Sequence, residues 1–118
     1  MTAHRFFESA IPFFILRSMF AFLVTRGRIH FEVEGEGSWT LHLGNVGEPV
    51  SRGLVGLADL EVWFSSAAFD AFVSGTLDPK PAMRRGEFKV KGDVRLLEQL
   101  SAILAPPKRG FRQRIAIA

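Results

Sequence analysis

The sequence predicts an α+β domain, a mostly antiparallel five-stranded sheet with helices packed on one face. Three observations predict it. Residues 29–43 alternate apolar and polar positions around a Gly-rich turn. Residues 60–92 read as strand, helix, short helix and strand, with a glycine closing each helix. A very apolar segment precedes these runs and a Leu-rich one follows them. The 118 residues suit a single domain spanning 1–118, with a basic tail from about residue 106.

The first helix is expected from about Ser9 to Arg26, with Ser9 as N-cap, Pro12 in the first turn and Gly27 as the stop. Its stretch from Ile11 to Val24 is almost wholly apolar. That run falls short of the ~20 residues of a spanning helix, and Arg17 interrupts it. Glu8 before it and Thr25-Arg26-Gly27-Arg28 after it do not suit a secretory signal. Phe13, Leu16, Phe20 and Leu23 form one stripe at helical spacing, while Phe14, Met19 and Phe22 lie largely outside it. The polar back of an ordinary surface helix is nearly missing. Burial on most sides, a dimer contact or rest on lipid would each account for it, with burial or self-association the expected outcome.

After Arg28 the period becomes two. Ile29, Phe31 and Val33 alternate with His30, Glu32 and Glu34; Gly35 to Ser38 turns the chain; Trp39, Leu41 and Leu43 alternate with Thr40 and His42. This pattern is an antiparallel hairpin. A turn over Gly44 to Pro49 leads to an expected third strand at Val50 to Val55. In the next strand Leu60, Val62 and Phe64 point one way, Glu61 and Trp63 the other.

Ser65 or Ser66 caps a short helix carrying Ala68, Phe69, Phe72 and Val73, and Gly75 ends it. The loop Leu77-Asp78-Pro79-Lys80-Pro81 leads to a one-turn helix around Ala82 to Arg85, closed by Gly86. Glu87 to Lys91 alternates cleanly, with Phe88 and Val90 inward. Gly92 breaks that strand and Asp93 caps a helix from about Val94 to Leu104. Its stripe is Leu97, Leu100 and Leu104, widened by Leu96 and Ile103. Pro106-Pro107 forbids continuation.

Composition narrows the function. Hydrophobic residues are 47% and charged residues 23%, which fits neither a disordered chain nor a typical membrane protein. Twelve Phe and two Trp come with no Tyr, so the aromatic surface offers area with few hydrogen-bonding handles, suiting a core or a greasy ligand site. The absence of Cys excludes disulfides, thiolate catalysis and Cys-based metal sites. The net charge of +3 is locally expressed in Lys108, Arg109, Arg112 and Arg114. A solvated terminus is the expected role of that cluster, contact with lipid or nucleic-acid phosphates the sharper one. Nothing points to secretion, and a cytoplasmic protein is expected.

No catalytic constellation is visible. His30 and His42 fall on the polar faces of the hairpin beside Glu32 and Glu34, without a third ligand or a metal-binding spacing; exposed decoration of the sheet is expected. His4 stands apart from them. Val73-Ser74-Gly75 lacks the glycine before the serine that a nucleophile elbow requires. Arg84-Arg85 reads as a solvated pair. No enzyme, cofactor or metal is expected.

The segment FDAFVSGTLDPKPAMRRGEFKVKG, Phe69 to Gly92, resembles the C-terminal half of the sterol carrier protein type two domain. Leu60-Glu61-Val62-Trp63-Phe64 before it, and Gly92-Asp93 with the Leu-rich helix after it, extend the likeness. The resemblance covers about half the chain in motif and nearly all of it in element order. The first half matches in outline. The chain ends Ile115-Ala116-Ile117-Ala118, without the Ser-Lys-Leu type of peroxisomal address.

The resemblance implies a tunnel between sheet and helices that takes a sterol, fatty acyl chain, isoprenoid or phospholipid tail. Phe69 and Phe72 are the first candidates for its wall, then Met83, Leu100, Ile103 and Leu104, then Phe14, Phe20 and Trp63. Plain core packing is the competing role for each. The expected function is non-catalytic binding or transfer of a lipophilic molecule, as a carrier or as an accessory factor in lipid or quinone metabolism. The alternative is a cavity-less interaction module that dimerises through the Phe-rich first helix. Transient contact with a membrane surface is a further expected partner; nucleic acid is not.

Overall fold

The computed structural model describes residues 2–17, 19–45 and 47–104, the last four by backbone alone. The tail cluster Lys108 to Arg114 and the chain end lie outside the described residues.

The chain begins with helix, earlier than the sequence pattern predicts. Helix α1 (Ala3–Arg5) is capped by Thr2, whose hydroxyl accepts the Arg5 N–H at 3.2 Å. A π-helical stretch, Phe6–Ala10, follows, and α2 (Ile11–Arg17) and α3 (Met19–Val24) continue the segment. Ser9 therefore sits inside helix and caps nothing. The π-stretch has a local cause. Pro12 has no N–H to give, and its ring crowds the carbonyl four residues back; a wider turn just before it accommodates both defects.

The sheet has the strand order β3-β2-β1-β4-β5. Strands β1 (Gly27–Val33) and β2 (Gly37–Leu43) form the expected hairpin, with Phe31 opposite Trp39. Strand β3 (Val50–Arg52) is shorter than predicted; residues 53–59 instead form a loop across the outer face. Strand β4 (Leu60–Phe64) lies beside β1, parallel to it, with Ile29 opposite Leu60 and Val33 opposite Phe64. β5 (Phe88–Gly92) closes the sheet antiparallel to β4. The sheet is thus mixed, and the expectation of a mostly antiparallel one is corrected: the long connection through β2, β3 and the 53–59 loop returns the chain to β1 in the same direction.

Alternation decides the two faces. Ile29, Phe31, Val33, Trp39, Leu41, Leu43, Leu60, Val62, Phe64 and Phe88 are all buried. The core unites them with Phe6, Phe7 and Ile11 of the first helical segment, with Phe69, and with Leu96 and Leu100. Helix α4 (Ser66–Ser74) is N-capped by the Ser65 hydroxyl, which accepts the Ala68 N–H at 3.1 Å, and ends on Gly75 at φ 77°. Helix α5 (Pro79–Arg84) starts on a proline, and α6 (Arg95–Leu104) follows Asp93, whose carboxylate accepts the Arg95 N–H.

The largest departure from the sequence pattern concerns the first helical segment. Of the alternatives for it, burial on most sides does not hold: its stripe Phe13, Leu16, Phe20 and Leu23 is exposed. The buried residues are Ala3, Phe6, Phe7, Ile11, Ile15 and Phe22. Phe7 stacks on Trp39 at 4.8 Å between ring centres and also meets Phe31 and Phe69. Phe6 meets Phe69 and Phe72 edge-on. The aromatic pair just before Glu8 thus fixes the helix rotation, and the stripe beyond Pro12 is turned to solvent.

Candidate functional site

Two polar clusters and one apolar region were built by this fold. The first polar cluster joins the N-terminal helix to the sheet. The Glu8 carboxylate accepts hydrogen bonds from the Trp39 indole at 3.0 Å and from Arg52 at 2.7 and 2.9 Å. His4 stands 3.3 Å from it, one turn earlier. The Arg52 bonds, then the Trp39 bond, hold the Glu8 pKa down at about 2. The Ala3 N–H also reaches the Glu36 carboxylate in the β1–β2 turn, at 2.6 Å. This cluster saturates its own members and serves to hold the helix.

The second polar cluster lies under the 53–59 loop on the outer face. The Thr40 hydroxyl donates to the Gly53 carbonyl at 2.7 Å and accepts the Val55 N–H at 2.9 Å. His30 Nε2 bonds the Val55 carbonyl, and an Arg28 guanidinium nitrogen donates to the Leu57 carbonyl at 3.0 Å. The histidines are not partners: His30 stands opposite Thr40, and His42 opposite Arg28. His42 bonds the Ser51 hydroxyl, and its pKa is lowered first by burial and then by the Arg28 charge. Among the described residues no group of three His, Cys, Asp or Glu side chains is placed to hold a metal.

An open cleft of about 420 Å³ sits at the far end of the hairpin, lined by Glu32, Glu34, Glu36, Ser38 and Trp63. Its acidic lining suits no lipophile.

The apolar region lies on the inner face, where α4 meets β4, α5 meets β5 and α6 lies against α2, with Leu96 over Gly27 at the start of β1. Phe69 is fully buried and touches Phe6, Phe7, Phe64 and Phe72. Phe72 is half-buried, tilted against Phe64 at 5.1 Å. Val73, Leu77, Val90 and Leu97 are likewise half-buried against the core, and Leu100 is buried. Met83, on α5, is exposed. These residues form an apolar rim around a closed aromatic centre.

Of the sequence-predicted wall, Phe69 and Phe72 are in ring contact, Leu100 belongs to the same buried core, and Met83 is exposed on α5. Ile103 and Leu104 belong to α6, but their side chains lie outside the described residues. Phe14 is half-buried on α2, with the Arg17 guanidinium 4.8 Å above its ring. Phe20 points to solvent. Trp63 stands on the outer face, away from the helices, with the Lys89 ammonium 4.9 Å from its ring. Sequence reasoning missed Phe6 and Phe7, which press on Phe69 and Phe72. Thr2 was the available signal: a capping residue six places before Glu8 starts the helix early enough to include both.

No curated protein matches this chain. Solved structures do. The sterol carrier protein domain 2 of Helicoverpa armigera is 20% identical, with 84% of this chain and 80% of that one covered, at a TM-score of 0.64. The ubiquinone synthesis protein UbiJ-SCP2 is 21% identical, with 81% and 87% covered and a TM-score of 0.58. Apo sterol carrier protein 2 from Yarrowia lipolytica is 25% identical, with 82% and 78% covered and a TM-score of 0.54. The sequence model of the SCP-2 sterol transfer family matches residues 21–105, most of the chain and every strand described above. The chain belongs to the SCP-2 sterol transfer family.

Proposed function

We propose that this domain binds a lipophilic molecule without catalysing a reaction on it. The occupant is a sterol, a fatty acyl chain, an isoprenoid or a phospholipid tail, held between the inner face of the sheet and α4, α5 and α6. The observation that carries the reading is the rim of half-buried apolar side chains, Phe72, Val73, Leu77, Val90 and Leu97, packed on the core but partly open to solvent. Each methylene moved from water into such surroundings contributes about 0.8 kcal/mol, so a long chain binds by area, with no required polar contact. Phe69, Phe72 and Leu100 form the wall and Met83 stands at its margin, where an unbranched thioether adapts to ligands of differing shape. Phe14 borders it from α2. The likeness to a ubiquinone synthesis protein supports a role as accessory factor in lipid or quinone metabolism.

Native mass spectrometry of the purified protein, with extraction of any bound lipid, tests this. A co-purifying lipophile, or saturable uptake of a fluorescent fatty acid after delipidation, is expected. A lipid-free protein that takes up none of the probe overturns the reading. A second reading, an interaction module that dimerises through the first helical segment, has one observation in its favour: the exposed stripe of α2 and α3. A tight, lipid-free dimer is its signature.

A further inference from the structure

Strand β5 forms one edge of the sheet and is paired with β4 on one side alone. At Phe88–Gly92 it is the longer of the two edges, the other being Val50–Arg52. The Ser65 N–H donates to the Glu87 carbonyl and the Asp93 N–H to the Asp59 carbonyl, each at 2.8 Å. Every second residue of an antiparallel ladder bonds its neighbour, so Lys89 and Lys91 turn their backbone groups to β4. Phe88, Val90 and Gly92 turn their N–H and C=O groups outward. Among the described residues no backbone group from a loop or turn bonds them there. Such an edge is a template for another strand.

Side chains decide which strand fits. On the inner face Phe88 is buried and Val90 half-buried, beside the apolar rim. On the outer face Lys89 and Lys91 are exposed, with the Lys89 ammonium over the Trp63 ring. The acids that flank β5 are engaged: Glu87 pairs with Arg85 at 2.9 Å and Asp93 with Arg95 at 3.0 Å. Lys80 and Arg84 on α5 are exposed as well, and among the described residues neither they nor Lys89 and Lys91 form an ion pair. The edge is thus apolar within and cationic without. A second copy fits it poorly. A two-fold antiparallel pairing centred on Val90 sets lysine beside lysine across the new pair. The tail of this chain, with Lys108, Arg109, Arg112 and Arg114, carries the same unfavourable sign.

We infer that β5 takes up an extended segment of a partner protein as a sixth strand, with apolar residues on the Val90 side alternating with carboxylates beside Lys89 and Lys91. The inference uses the sheet edge alone and stands whether or not the interior holds a lipophile.

The test adds a capped hexapeptide of alternating valine and glutamate to the full chain, with a lysine-for-glutamate peptide as control. Amide NMR and hydrogen exchange follow the protein. The glutamate peptide is expected to slow exchange at the Val90 N–H, while the Lys89 and Lys91 amides, already bonded to β4, change little. Binding should weaken with salt. Lys89→Glu combined with Lys91→Glu is expected to lower affinity about tenfold or more and to transfer the preference to the control peptide. Val90→Pro removes an outward N–H and no bond to β4, so it should also weaken binding; if that variant melts early, the lysine pair decides. No saturable shift at millimolar peptide, equal binding of the two peptides, or unaltered exchange at Val90 overturns the inference. A dimer in sedimentation equilibrium that Val90→Pro splits also overturns it, assigning the edge to a second copy. Phe72→Trp should lose fatty acid uptake yet keep peptide binding; loss of both would place the peptide in the interior site and sink the inference.

Discussion

Glu8 accepts the indole N–H of Trp39 at 3.0 Å, across 31 positions of sequence. Trp39 is buried, so that N–H would be costly without a partner. The bond also fixes which side of the first helical segment faces the sheet. One turn of helix around Glu8 places Phe7 on Trp39, and the apolar stripe beyond Pro12 faces outward as a consequence.

The pH dependence of stability should report this contact. The folded Glu8 pKa is about 2, against an ordinary 4.5. A depressed carboxylate pKa contributes stability that is complete above 4.5 and disappears as pH falls toward 2. The unfolding midpoint of the parent should therefore drop across that window. Glu8→Gln should start lower at neutral pH, drop less, and meet the parent near pH 2. Identical midpoints at every pH would show that the pairing contributes nothing.

His42 carries the opposite group and the same sign. Its folded pKa lies below 6.5, because burial and the Arg28 charge both oppose the imidazolium. The unfolded chain takes the proton more readily, so this contribution is whole above pH 6.5 and declines as pH falls toward the lower folded value. A ring titration by NMR should show a midpoint under 6.5, and one at or above 6.5 contradicts the environment described here.

The helix rotation makes two phenylalanines behave differently. Phe7→Ala removes a fully buried ring in contact with Trp39, Phe31 and Phe69, and should cost about 3–5 kcal/mol. Phe13→Ala should change stability by no more than about 0.5 kcal/mol, since its ring is largely in water. Denaturant titration of both would reveal a misplaced rotation if the two costs were reversed.

Gly92 ends β5 at φ 114°, and a Cβ there would press into the backbone carbonyl of Asp59. Gly92→Ala should lose about 1–3 kcal/mol from strain alone. The loss should appear in the thermal melt of the domain; a neutral substitution would mean that the β4–β5 end adjusts.

The proposed interior site has its own test. Phe72 is half-buried at the rim, against Phe64 and Phe6. Phe72→Trp should occupy part of the space and weaken fluorescent fatty acid uptake several-fold while the fold persists. Unchanged uptake would move the site away from α4.

Much of the fold was legible because it depends on local chemistry. The Ser65 cap, the Gly75 stop and the alternation of Phe88 with Lys89 are each fixed within a few residues, and each stands where the pattern placed it. Phe69, Phe72 and Leu100 were legible as apolar positions of two helices. That Phe69 touches Phe72, while Trp63 faces away and Phe20 faces solvent, was not. Periodicity shows that side chains share a face and is silent on what covers it. The shortened β3 was missed because Leu54 and Val55 look like strand residues, yet Thr40 and His30 hold that backbone as a loop.

The amino-acid order by itself determined the element types, the hairpin register and the absence of thiol chemistry. These follow from residue spacing and composition, which act over a few bonds. Tertiary structure decided the parallel placement of β4 beside β1, the rotation of the first helical segment, and the split of its apolar surface into a buried face and an exposed one. Those choices depend on contacts between residues far apart in the chain, such as Glu8 with Trp39 and Phe6 with Phe69. In a chain apolar on both sides of its helix, only such contacts select the side that leaves water.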